Sequence, residues 1–274
     1  MKLAIFNITW DKTQDDQVAK LLQNFEFTGV EIAPAKVWKT PTLVSKHEAE
    51  SYKKFWIQRG ITISSLCSLF YPHQDLNLFK GKQIQDEMLR YFKRICDLAE
   101  SLGAEKLVFG SPRNREYVDI KPNQVNNIAV DFFSKIARIA GEKNLMVCIE
   151  PIPLQYGTNF VNSTNEAIEL IRAVDSPFFR LHLDSGAMTV NQENIELAFL
   201  KAVPFLEHFH ISEENLIEIG TGDVDHQMFS DILNTYHYSK WTVIEMRPTL
   251  QVDIIGQIKR SLEYVKKVYS NEKI

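Results

Sequence analysis

Cysteine is scarce, with three residues in 274: Cys67, Cys96 and Cys148. They are widely spaced in apolar settings. No CxxC or Cys/His pair has zinc-site spacing, and reduced, buried thiols in a cytosolic protein are expected. Long apolar runs are missing too. None approaches the ~20 residues that a membrane helix needs, and MKLAIFNITWD lacks a signal peptide's apolar core and small-residue cleavage site. A cytoplasmic location with no membrane partner is expected. Positive charge is not in excess: 31 Lys and Arg against 35 Asp and Glu leave a formal charge of −4. Phosphate-backbone binding needs a concentrated basic face, so no nucleic-acid partner is expected. No Pro/Gly/Ser-rich linker or low-complexity segment divides the chain. No GxGxxG follows the first strand, which leaves an open doubly wound sheet without support.

What is present is a rhythm. Short apolar runs read as strands: LAIFNI from Leu3, TGVEIA from Thr28, ITISSLC from Ile61 and KLVFG from Lys106. Four more follow: LMVCIE from Leu145, FRLHLD from Phe179, LEHFHI from Leu206 and TVIEM from Thr242. Amphipathic helices lie between them. One runs from Gln83 and stops at Gly103, a good C-terminal cap. Another runs from Val125 to near Gly141. A third follows Asn162, with Ser163 or Thr164 as N-cap, and a closing helix starts at Ile254. Strand alternating with helix implies a parallel sheet. About eight such units in a chain near the roughly 250 residues typical of the fold predict an α/β architecture, a single (β/α)8 TIM barrel domain over residues 1–274.

In such a barrel, chemistry sits at the C-terminal ends of the strands. The last four predicted strands end in Glu150, Asp184, His210 and Glu245. Three carboxylates converging on one mouth would repel one another and gain protons unless a cation joined them. Oxygen ligands plus one imidazole suit a divalent ion, with Mn, Mg, Co and Zn all open. Period two places His182 and His208 on the same inward face, one layer deeper, where hydrogen bonding to the ligands is the expected role.

VCIEPIP, HLDSGAM, HFHISEEN, VIEMRP and the GVEIAP stretch at 29–34 resemble the xylose isomerase-like sugar isomerase/epimerase superfamily. Its members include ketose 3-epimerases, hydroxypyruvate isomerases, inosose dehydratases and, more distantly, endonuclease IV. The resemblance implies that Glu150, Asp184, His210 and Glu245 bind one divalent metal, and that Glu150 and Glu245 also move the proton. The pattern differs in two places. Ala187 stands where sugar epimerases of the family often carry a substrate-contacting His, and EENLIEIG lacks the Arg that usually follows the seventh-strand motif. Substrate contacts are therefore expected to differ.

The remaining candidates surround the same mouth. Arg247 could supply the missing cation. Glu31, ending the second strand, could bond a substrate hydroxyl. Tyr156, Asn159 and Phe160 fall where relatives have a loop folding over the substrate. Trp10 and Trp38 could form an apolar wall, and His73 could reach the pocket. Arg113 and Arg115 in FGSPRNR could hold an anionic group. Asp225 in GTGDVDHQMF reads as a helix N-cap.

Together these predict a metal-dependent isomerase or epimerase of carbohydrate metabolism. It acts on a small sugar, sugar phosphate or other hydroxy-carbonyl compound through an enediolate, with assembly as a homo-oligomer left open. A lyase using the same enolate is the alternative. A DNA-repair enzyme and a non-catalytic ligand-binding barrel are the more distant ones.

Overall fold

A computed structural model of the chain describes residues 1–249 and 253–270. Within them, eight parallel strands pair in chain order and close on themselves. They are β1 (Lys2–Phe6), β2 (Gly29–Ile32), β3 (Thr62–Leu66) and β4 (Lys106–Phe109), then β5 (Met146–Ile149), β6 (Phe179–Asp184), β7 (Leu206–Ile211) and β8 (Trp241–Ile244). Lys2 of β1 lies opposite Trp241 of β8, which completes the ring. Helices follow every strand, among them Lys82–Leu102 after β3, Pro122–Gly141 after β4 and Thr164–Val174 after β5. The fold is the (β/α)8 barrel that the rhythm predicted.

Alternation along the strands sorts the side chains. Phe209 of β7 turns outward and meets Phe199 and Phe229 with ring centroids 6.1 and 5.9 Å away. Its neighbours His208 and His210 turn inward, as period two requires. Phe133 on the helix Pro122–Gly141 touches Phe109 of β4 and Phe179 of β6, at 5.1 and 5.0 Å between centroids. All three rings are buried, and each such burial stabilises by about 1.5–3 kcal/mol. This outer layer fixes the strands whose ends carry the chemistry. The barrel interior holds a smaller apolar cluster, including Ala4, Phe6, Val108 and Val243. Glu31, Ser65, His182 and His208 are also fully buried.

Local signals end the helices as expected. Ser163 accepts from the Glu166 amide, Asp225 accepts from the Met228 amide at 2.9 Å, and Gly103 takes the left-handed conformation at φ 74°. The helix expected from Val125 begins three residues earlier because Pro122 fills its first turn, where a missing N–H costs no bond. All three cysteines are buried thiols. Among the described residues, no helix is long and apolar enough to cross a membrane.

Candidate active site

Asp184 is the last residue of β6, and His210 lies opposite it on β7. Glu150 and Glu245 each stand one residue beyond their strands. Their backbone amides nevertheless continue the ladder, Glu150 to the Phe109 carbonyl at 3.2 Å and Glu245 to the Ile211 carbonyl at 2.9 Å. The four strand-end residues thus face one mouth from four successive strands.

His210 is held from both sides. Its Nε2 meets Glu31 Oε1 at 2.8 Å, and its Nδ1 meets Glu245 Oε2 at 2.9 Å. Burial opposes a charge on this ring, but the two carboxylates outweigh it and raise the pKa well above the ordinary value. Asp184 Oδ1 accepts from the Ala187 amide at 2.6 Å and from Ser212 Oγ at 2.7 Å. Burial, with Glu245 adding repulsion, pushes the Asp184 carboxyl up to about 6. Burial and the Glu245 charge likewise raise Glu150 well above the carboxylate range.

The donor set fits a divalent cation. Asp184 Oδ2 and His182 Nε2 are buried without a hydrogen-bond partner among the described residues. One ligand atom from each of Glu150, His182, Asp184 and His210 lies within 4.8 Å of the others. Burial, with Glu245 adding repulsion, makes Glu150 and Asp184 easier to protonate than ordinary carboxyls, and a cation among these oxygens would offset both effects. Glu245 reaches the cluster through His210.

A second layer lies beneath. Ser65 Oγ donates to Glu31 Oε2 at 2.6 Å, His208 Nε2 lies 2.9 Å from Ser65 Oγ, and the Nδ1 atoms of His182 and His208 are 3.0 Å apart. Burial pushes His208 down to about 3 and His182 well below its ordinary value. Burial works against a charge on Glu31 as well, yet the His210 charge, with hydrogen bonds from His210 and Ser65, outweighs it and lowers that carboxyl.

The other expected residues are placed as follows. Glu31 is fully buried, with both oxygens taken by protein groups. Arg247 is exposed on the C-terminal face, its carbonyl held by Gln257 at 3.0 Å. Arg113 is exposed and bonded to the Gln74 side chain. Arg115 is fully buried and donates to the Glu150 carbonyl at 2.7 Å. Asn159 clamps the backbone of Tyr117 with both ends of its amide, at 3.0 and 2.9 Å. The Tyr156 hydroxyl oxygen accepts from the Asn215 amide at 3.2 Å. His73 packs edge-on against Tyr91 at 4.6 Å. Trp10 is buried, bonding Asp15 at 2.7 Å, and Trp38 stacks edge-on to Tyr52.

Sequence reasoning missed the roles of two residues. Gly110 follows β4, and a side chain there would occupy the space of the Glu150 carboxylate. Its signal was a glycine directly after a strand, at the face that carries the site. Ser212, two residues past His210, orients Asp184; its only signal was that spacing.

The sequence matches the xylose isomerase-like TIM barrel family over residues 19–268. The chain belongs to that family. Within the xylose isomerase-like barrels it is similar to a probable ketose 3-epimerase of Synechocystis sp., 23% identical over 89% of this chain and 84% of that protein. It is also 27% identical to an L-ribulose 3-epimerase of Methylomonas sp. over 56% of this chain, a match that spans only 52% of that relative's length. Among solved structures, the apo 3-keto-D-glucoside 4-epimerase of E. coli superposes with a TM-score of 0.82 at 17% identity, covering 97% of this chain and 99% of that one. D-psicose 3-epimerase of Clostridium cellulolyticum H10, solved with D-tagatose, gives 0.82 at 16% identity, covering 98% and 100%. These two likenesses concern the fold.

Proposed function

We propose that this chain is a divalent-metal-dependent epimerase or isomerase of a small keto sugar, free or phosphorylated. The observation that carries the reading is the arrangement of Glu150 and Glu245 about Asp184 and His210. Their strands are three steps apart around a ring of eight, so the two carboxylates approach a substrate at the mouth from different sides. The family membership and the 3-epimerase relatives support the substrate class.

Glu150, Asp184, His210 and Glu245 would hold the ion. A divalent cation there supplies Lewis-acid stabilisation of negative charge on the oxygens beside the reacting carbon. Glu150 takes the proton from that carbon, and Glu245 gives one to the opposite face or to the neighbouring carbon. The balance is one proton gained by the first glutamate and one lost by the second. Arg115 holds the Glu150 backbone while this happens. Ser212 and the Ala187 amide keep Asp184 turned. Glu31 accepts the Nε2 proton of His210, which leaves Nδ1 for the ion. Arg247, exposed two residues after Glu245, would contact the substrate's polar end.

The test is a screen of ketoses and ketose phosphates with the metal-loaded protein in D2O, read by NMR. Epimer formation with deuterium entering the carbon beside the carbonyl is expected. A protein that binds a ketose in equilibrium dialysis but never exchanges that hydrogen would be a binding barrel, and the reading would fall.

A further inference from the structure

The buried histidine pair has a hydrogen-bond order that can be counted. The Ser65 hydroxyl gives its proton to Glu31 Oε2 at 2.6 Å, because a carboxylate only accepts. Ser65 Oγ must then accept from His208, so His208 Nε2 carries the hydrogen of their 2.9 Å contact. A neutral imidazole has one N–H, which leaves His208 Nδ1 bare. At 3.0 Å, His208 Nδ1 therefore accepts from His182 Nδ1–H. The chain ends on His182 Nε2, a bare lone pair.

That lone pair is fully buried and has no hydrogen-bond partner among the described residues. It lies 3.8 Å from Glu150 Oε1. One ring nitrogen of His182 lies within 4.8 Å of a ligand atom on each of Glu150, Asp184 and His210, and Nε2 is the nitrogen on the Glu150 side of the ring. A lone pair facing carboxylate oxygens is repelled unless something positive stands between them. The strand geometry serves the same placement. The β6–β7 register shifts between Leu181 and His182, which sets His182 opposite His208, as a bulge re-aims a side chain.

We propose that His182 Nε2 is an additional protein donor to the cation of this site, giving the centre two imidazoles. The proposal rests on the metal reading above and goes beyond its four strand-end ligands. Imidazole suits Co2+ and Zn2+ better than Mg2+, whose preference is for oxygen. The centre should therefore select a borderline transition ion.

The test uses the wild-type protein, labelled with 15N in its histidine rings and loaded with 113Cd2+. Ring nitrogens bonded to the ion split by scalar coupling to cadmium. Two coupled imidazoles are expected, His210 and His182, each assigned through its ring carbons to the backbone. In His182→Gln one coupling should vanish, and equilibrium dialysis should show the preference for Co2+ over Mg2+ reduced. A residue acting outside the coordination sphere would lower both affinities alike. A single coupled imidazole in the wild type overturns the proposal and leaves the four-ligand centre standing. A wild-type protein that binds no Cd2+, Co2+ or Mg2+ overturns both.

Discussion

Gly110 and Glu150 share one space. A Cβ on Gly110 would overlap Glu150 Oε2, so the residue after β4 must lack a side chain for the carboxylate after β5 to reach the mouth. Gly110 does not need glycine for its backbone, because its φ lies outside the left-handed range. Gly110→Ala therefore isolates the steric effect. Overpacking of this kind costs about 1–3 kcal/mol, but the larger effect should be on chemistry, through a displaced Glu150. The expected outcome is a folded protein with a modestly lower urea midpoint and a severe loss of kcat. Unchanged kcat would show that Glu150 works from another position.

Glu31→Gln tests the support under His210. The variant leaves His210 Nε2 and Ser65 Oγ without an anionic acceptor in a fully buried place. Breaking a buried charged pair costs about 3–5 kcal/mol, and losing an outer partner of a metal-binding His costs about 10–100-fold in metal affinity. Thermal melting and metal content after dialysis measure the two. Wild-type retention of the ion would remove Glu31 from the account.

Protons and the cation compete for the same oxygens. Burial and Glu245 raise Asp184 to about 6 in the metal-free protein. For a carboxyl whose folded pKa lies above its unfolded value, the folded state binds the proton more tightly. Its contribution to metal-free stability is thus complete below the unfolded value of about 3.9 and is lost as pH rises through about 6. Urea midpoints of metal-free wild type should fall across that window relative to Asp184→Asn. Metal binding should run the other way, weakening as pH drops through about 6 and releasing protons. Calorimetry in two buffers of different ionisation enthalpy counts them. No proton release would contradict the raised carboxyl.

Much of this was legible because it is periodic. LMVCIE and FRLHLD announced β5 and β6 as short apolar runs between helical patterns, and the two-residue period of a strand put His182 and His208 beneath the mouth. Ser163, Asp225 and Gly103 were readable because capping is a local interaction. The contacts that refine the site are not local. Glu31 meets His210 across 179 residues of chain, Asn159 meets Tyr117 across 42, and Arg115 turns inward to the Glu150 carbonyl while Arg113 stays outside. No spacing rule distinguishes one arginine of SPRNR from the other, since both lie in the same irregular loop.

The arginines nevertheless make separable predictions. Arg247 is exposed on the C-terminal face, so Arg247→Ala should raise KM for an anionic or strongly polar ketose with little effect on folding. Arg115 is buried against Glu150, so Arg115→Ala should instead destabilise the protein and lower kcat. Equal kinetic effects from the two variants would contradict the separation of their roles.

The two glutamates should fail differently. If each serves one face of the reacting carbon, one epimer loses its proton only to Glu150 and the other only to Glu245. Gln keeps the shape of the side chain and one oxygen for the ion, but it cannot accept a proton. In Glu150→Gln, the epimer that presents its hydrogen to Glu245 can still lose it and regain a deuteron on the same face. That variant should show exchange of one epimer in D2O, no exchange of the other, and no interconversion. Glu245→Gln should show the mirror pattern, with the opposite epimer exchanging. Metal content measured alongside separates loss of a base from loss of the ion. NMR of each purified epimer with each variant reads the pattern directly. If both variants exchange the same epimer, a single base serves both faces, and the assignment of one glutamate to each side fails.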